Sequence, residues 1–187
     1  MPSGFVSPDL LQIRRISLLL AQHENKFDQT LRAARSEIGD DPDLTNPTHS
    51  RRLRKWLNDW LCRIGYPQDG QDDEFVENLA RWWTLVATHL PAPDRPLNHL
   101  DDSDLQDLAE AYGQLVALTS YRTRGGRVRS FGPTATAKIL YFVRPLAVTA
   151  WDKRIAAGLG HGTDQSGFFD HLSQCQRWAA DIVEEAR

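Results

Sequence analysis

The sequence predicts an all-α protein, and three observations carry the prediction. Apolar residues recur at three- and four-residue steps through every long segment, the period of one helix face. Proline, glycine and aspartate clusters fall between those segments, where helices are capped and broken. No alternating apolar-polar run is long enough for an extended sheet. The one stretch that suggests strands is short, with Thr123-Arg124-Gly125-Gly126 as the tip of a small two-stranded ribbon. With 187 residues, the expectation is one helical-bundle domain, 1-187, built as two lobes, 1-100 and 101-187, around a shared core.

Taken in order, residues 8 to 38 read as a helix begun by Ser7-Pro8, with Leu11, Ile16, Leu20 and Phe27 on one face and Gly39-Asp40-Asp41-Pro42 as its stop. Residues 50 to 64 form a second helix. Its apolar stripe is Leu53, Trp56, Leu57, Trp60 and Leu61, and Gly65-Tyr66-Pro67 ends it. Residues 74 to 90 carry Phe75, Leu79, Trp82, Trp83 and Val86 inward. Pro91, Pro93 and Pro96 stiffen the connector that follows. Asp101-Asp102-Ser103 caps a helix from about Asp104 to Leu118, its acids favourable at the positive end of the helix dipole. Phe131-Gly132-Pro133 opens the next helix, which runs to Arg144 and stops at Pro145. Leu146 to Trp151 is extended. Asp152 begins a short helix closed by Gly158 and Gly160, and a last helix covers residues 165 to 185.

Charge is distributed unevenly. Between residues 121 and 154 stand Arg122, Arg124, Arg127, Arg129, Lys138, Arg144, Lys153 and Arg154 against Asp152 alone, a local +7 in a chain of formal net charge −3. Residues 67 to 110 are the reverse, with eleven acids against Arg81 and Arg95. A segment as polarised as the first points to a phosphate-bearing partner. Arg51, Arg52 and Lys55, lying off the apolar stripe of their helix, form a second candidate contact patch. The N-terminus lacks the charge-then-apolar order of a signal peptide, and the longest aliphatic run is too short to cross a bilayer. The expectation is a soluble cytoplasmic protein, nucleoid-associated if bacterial, without membrane contact, and monomeric. No Walker lysine motif, GxSxG elbow or paired CxxC is present. Cys62 and Cys175 follow no metal-ligand spacing, and the histidines form no HxxxH pair, so neither metal nor cofactor is expected.

Four features carry candidate chemistry. The Gly132-Pro133-Thr134 turn presents backbone N–H groups at the positive end of a helix, a seat for phosphate, with Arg127 and Arg129 beside it. Lys138 projects from a largely apolar helix flank, where it reads either as a desolvated nucleophile or as a lysine snorkelling to solvent. Asp152 reads both as a helix cap and as a carboxylate facing a basic, aromatic cleft, placed to stabilise positive charge or orient a water. Of the six tryptophans, most fall at core spacing, while Trp151, Trp56 and Trp60 are candidates for a base-sized pocket, since aromatic faces stack on bases.

From Phe131-Gly132-Pro133 through Asp152 the chain resembles the helix-hairpin-helix DNA glycosylases, particularly the branch with the 8-oxoguanine glycosylase fold. Ser130-Phe131-Gly132 corresponds to the hairpin, the helix through Val143 to the one after it, Leu146 to Trp151 to the extended connector, and Asp152 to the aspartate opening the next helix. The resemblance implies that the hairpin amides hold DNA phosphate and that the aspartate supports departure of a flipped base. It also implies, in members with lyase activity, a lysine that attacks the sugar. Two departures stand out. Ser130 occupies the place of the first hairpin glycine, and the position of the family's lysine falls near Thr134, one turn before Lys138.

These readings converge on an expected DNA glycosylase that excises a modified or damaged base. Asp152 and Lys138 are its candidate catalytic pair. Arg122, Arg124, Arg127, Arg129, Gly132, Thr134, Lys153, Arg154, Arg51, Arg52 and Lys55 are its candidate DNA contacts. The alternative is a non-catalytic DNA-binding module that keeps the fold without the chemistry.

Overall fold

A computed structural model describes residues 26–185. Within them the chain is all-α apart from one small β-ribbon. The helices are α1 (Lys26–Ile38), α2 (Pro47–Asp59), α3 (Glu74–Val86), α4 (Asp102–Val116), α5 (Gly132–Val143), α6 (Lys153–Leu159) and α7 (Gln165–Glu185), with a 3-10 turn at Leu97–His99. The ribbon is β1 (Thr119–Arg122) paired antiparallel with β2 (Val128–Ser130). The expected first helix is seen from Lys26 onward; Leu11, Ile16, Leu20 and the side chain of Phe27 lie outside the described residues.

Caps set the helix ends. Asn46 accepts a hydrogen bond from the Thr48 amide, and with Pro47 in the first turn it starts α2 three residues before the expected Ser50. Asp101 and Asp104 form a reciprocal capping box that opens α4. Gly160 closes α6 in the left-handed conformation at φ 75°. The expected end of α2 needs correction. The helix stops at Asp59, and Leu61 and Arg63 take φ 60° and 54°. The Asn58 side chain clamps this reversal, donating to the Ile64 carbonyl at 2.9 Å and accepting from the Ile64 amide at 2.7 Å. Leu61 therefore leaves the apolar stripe and is 77% exposed. Helix α3 likewise ends at Val86, short of the expected residue 90.

One hydrophobic core runs from Leu31 to Leu172 and takes side chains from both of the expected lobes. Trp56, Trp82, Tyr112, Phe75, Phe142 and Phe168 are its largest fully buried members. Two arginines are buried. Arg54 makes two hydrogen bonds to the Asp73 carboxylate, at 2.7 and 3.0 Å, and stacks over Tyr66 at 4.5 Å. Removing one partner of such a buried pair costs about 3–5 kcal/mol, because the other charge is left stranded. Arg144, at the C-terminal end of α5, lies 5.6 Å over the Trp83 ring and 3.8 Å from Asp41, and burial pulls its pKa down.

The ribbon is anchored at its root. Asn78 on α3 donates to the Thr119 carbonyl at 2.8 Å, and the Ser120 hydroxyl donates to the carbonyls of Arg129 and Ser130 across an irregularity in the ladder. Tyr121 packs flat against Gly65, where a Cβ would stand 2.4 Å from the ring. Strand β2 leads through Phe131 directly into α5, so the turn at Gly132 has a strand on one side and a helix on the other. Gly132 has φ 70°, which explains the glycine there.

Candidate functional site: a cleft between helix α5 and the Val148–Asp152 connector

Helix α5 displays Thr134, Ala137, Lys138 and Tyr141 at helical spacing along one face. Opposite runs the connector Val148-Thr149-Ala150-Trp151, ending in Asp152 and followed by Ile155. Together they line a cleft of about 570 Å³, within the size range of small-molecule sites. The two residues singled out for chemistry, Lys138 and Asp152, thus share one cleft. Thr134, at the position where the resemblance places a lysine, lines it too.

Asp152 is the N-cap of α6. Its Oδ1 accepts from the amides of Arg154 and Ile155 at 2.7 and 2.9 Å. These bonds fix the carboxylate, while Oδ2 has no hydrogen-bond partner among the described residues. One residue thereby caps α6 and lines the cleft.

Lys138 is tied elsewhere. Its Nζ donates to the Trp60 carbonyl at 3.0 Å and lies 5.6 Å over the Trp60 ring. That carbonyl stands at the C-terminal end of α2, where the helix dipole favours a cation. Cys62 Sγ approaches the same oxygen at 3.9 Å; burial pushes its thiol pKa up, against the pull of Lys138.

The connector wall is fastened from behind by residues that sequence spacing does not reveal. His171 on α7 stacks on Trp151 with ring centroids 4.5 Å apart. Its Nε2 lies 3.1 Å from the Ala150 carbonyl and 2.9 Å from Thr149 Oγ1. Since a carbonyl only accepts, Nε2 carries the proton, and Nδ1 faces Cys175 Sγ at 3.7 Å. Burial lowers the His171 pKa to about 4, so the ring is neutral at ordinary pH. Trp151 Nε1 donates to Tyr112 Oη at 3.3 Å, and that hydroxyl donates to the Thr163 carbonyl at 2.8 Å. Tyr141 also lines the cleft; its place seven residues after Thr134, two helical turns on, is the signal that could have found it.

Of the three pocket tryptophans expected, Trp151 alone lines the cleft, and it is 3% exposed. Trp56 is wholly buried against Phe142, and Trp60 seats Lys138 from behind. Both corrections follow from α2 turning its apolar face to α5.

The basic residues divide in the same way. Arg122 pairs with Glu74 at 2.7 Å and Arg52 with Glu37 at 2.6 Å. Arg52 is thus held within the fold, and the second patch reduces to Arg51 and Lys55. Arg124, Arg127 and Arg129 on the ribbon, and Lys153 and Arg154 on α6, are exposed with no salt-bridge partner among the described residues. Helix α5 starts without a side-chain cap, so no side chain occupies its first-turn amides. Among the described residues no group of histidine, cysteine and acidic side chains could hold a metal ion, and no helix is long and apolar enough to cross a membrane. Compared with known protein families, curated proteins and solved structures, the chain matches none.

Proposed function

We propose that the protein is a DNA glycosylase that hydrolyses the N-glycosidic bond of a modified base flipped into the α5–connector cleft. The observation that carries this reading is the Asp152 carboxylate, immobilised by two backbone amides at a cleft whose surroundings supply unpaired cations. Arg124, Arg127 and Arg129 on the ribbon, with Lys153 and Arg154 beside Asp152, supply the charge for duplex phosphates. The flipped nucleotide enters between Tyr141 and the Trp151 wall. As the bond from C1′ to the base nitrogen breaks, positive charge grows on the sugar, and Asp152 Oδ2 stabilises it and orients a water. The water oxygen bonds to C1′ and keeps one proton as the new hydroxyl, and its other proton passes by way of the carboxylate to the departing base nitrogen. Lys138, held on the Trp60 carbonyl, serves as a fixed cation at the cleft wall, and the reaction stops at the abasic site.

The test uses duplexes that each carry one modified base, scored for alkali-labile strand breaks. Wild-type protein releases at least one base of the panel. Asp152→Asn, which preserves the cap, lowers release by about 100-fold or more while DNA affinity stays level. A panel that yields no abasic site overturns the enzyme reading; retained salt-sensitive binding would then favour the non-catalytic module. Borohydride should trap no adduct, and an adduct lost in Lys138→Ala would instead assign lyase chemistry to that residue.

A further inference from the structure

We propose that Cys62 and Lys138 form an oxidant-responsive pair, in which peroxide joins the thiol sulfur to the lysine nitrogen through one bridging oxygen. Both groups converge on a single atom. Lys138 Nζ donates to the Trp60 carbonyl oxygen at 3.0 Å, and Cys62 Sγ lies 3.9 Å from that same oxygen. Thiol and ammonium are also within hydrogen-bonding reach of one another. The pair joins the loop after α2 to helix α5. Cys175 meets Thr149 and His171 rather than an amine, so it serves as an internal control.

The backbone of the loop explains why the thiol faces inward. Among the described residues only Leu61 and Arg63 hold positive φ without being glycine, at 60° and 54°, and Cys62 stands between them. A turn of this kind is made more cheaply by glycine or asparagine. Strain persists where the surroundings over-determine it, and it concentrates where geometry is used. Here Asn58 brackets Ile64 with two hydrogen bonds, and the amides of Leu61 and Cys62 bond back to the Asn58 and Leu57 carbonyls at 3.0 and 3.1 Å. Leu61 is thereby turned out to 77% exposure, while Cys62 packs half-buried against the core. With the backbone fixed on both sides of the thiol, sulfur and amine are held as a bond-forming pair requires.

The chemistry balances with peroxide as the oxidant. Cysteine reacts as the thiolate, the form that the neighbouring ammonium favours, although burial keeps the larger share as thiol. A first peroxide converts Cys62 Sγ to a sulfenic acid and releases one water. A second oxidises Lys138 Nζ as it bonds to the sulfenic oxygen; the O–H and two N–H bonds break, and two waters and one proton leave. Sulfur and nitrogen each give up two electrons, and the two peroxides take them. Once bridged, Lys138 no longer carries the charge it presents at the cleft wall. Two molecules of a dithiol return the four electrons, restoring thiol and amine while the bridging oxygen leaves as water.

The experiment treats the whole chain with a graded series of hydrogen peroxide and maps its peptides by mass spectrometry without reductant. Wild-type protein should yield the Cys62 peptide linked to the Lys138 peptide with a gain of about 14 Da, one oxygen less two hydrogens. A dithiol should return both peptides to their starting masses. Cys62→Ser and Lys138→Arg, the second keeping a cation for the Trp60 carbonyl, should each abolish the linked species, and Cys175→Ser should retain it. The wild-type map decides the bond by itself, so a variant that failed to fold would leave the test intact. Gains of about 16 or 32 Da at Cys62 alone, with Lys138 unmodified, mark sulfenic or sulfinic acid and overturn the proposal. A linked species that has lost about 2 Da marks a direct S–N bond and overturns the oxygen bridge. A Cys62 that stays a thiol throughout the series, or a linked species that survives Lys138→Arg, overturns the pair.

Discussion

His171 shows how one buried side chain governs the cleft. It stacks on Trp151, donates to the Ala150 carbonyl and meets Thr149, so most of the connector wall rests on it. Its pKa falls from 6.5 to about 4, chiefly through burial. The unfolded chain therefore takes up a proton below about pH 6.5 that the folded chain refuses until about pH 4. Stability should decline as pH falls through that window and then level off, with a loss on the order of 2 kcal/mol from this residue. His171→Gln, which cannot titrate, should flatten that part of a pH series of urea denaturation midpoints. If the wild-type and variant slopes coincide between pH 6.5 and 4, the histidine does not set the acid sensitivity. None of this was legible in the sequence, because His171 meets its partners 21 and 22 positions away in the chain.

At the scale of elements, most helix starts with a local cap were legible, but not that of α2, where Asn46 and Pro47 open the helix three residues before the expected Ser50. The Asp101–Asp104 box, Pro133 and Asp152 each lie within four residues of the helix they open. Ends were harder where a side chain does the work that glycine usually does, as Asn58 does at Leu61. The burial of Arg54 and Arg144 is not written in local spacing, because it depends on Asp73, Tyr66 and Trp83, which the fold alone brings near. For the cleft, α5's period placed Thr134 and Lys138 on one face, and Asp152 was legible as a cap. The hold of the Trp60 carbonyl on Lys138, across 78 positions, was not. Gly132 offers a direct test of the element that carries one cleft wall. At φ 70° any L-side chain is strained, and nothing within 4 Å would otherwise obstruct a Cβ. Gly132→Ala should therefore destabilise by about 1–2 kcal/mol through backbone strain alone. A thermal midpoint within error of wild type would show that the turn relaxes freely into α5.

Across the whole molecule, net charge hides a strong local polarity. The chain is acidic at −3, yet eleven of its acids fall between residues 67 and 110, while Arg124, Arg127 and Arg129 on the ribbon and Lys153 and Arg154 on α6 have no salt-bridge partner among the described residues. Binding to duplex DNA should weaken steeply with salt. Replacing Arg124, Arg127 and Arg129 singly with alanine should each reduce the slope of log affinity against log salt by about 1. Slopes that stay at the wild-type value would remove the ribbon from the interface.

The seat of Tyr121 on Gly65 has a consequence for how such a chain can diverge. A Cβ at residue 65 would stand 2.4 and 2.8 Å from two atoms of the tyrosine ring, whereas nothing lies within 4 Å of one built at Gly125 in the ribbon tip. Lineages descending from this sequence can lengthen, shorten or recharge the tip one mutation at a time. Positions 65 and 121 can drift only together, a bulkier residue at one matched by a smaller one at the other. The reach of the ribbon is thus open to selection, while the direction in which it points is inherited.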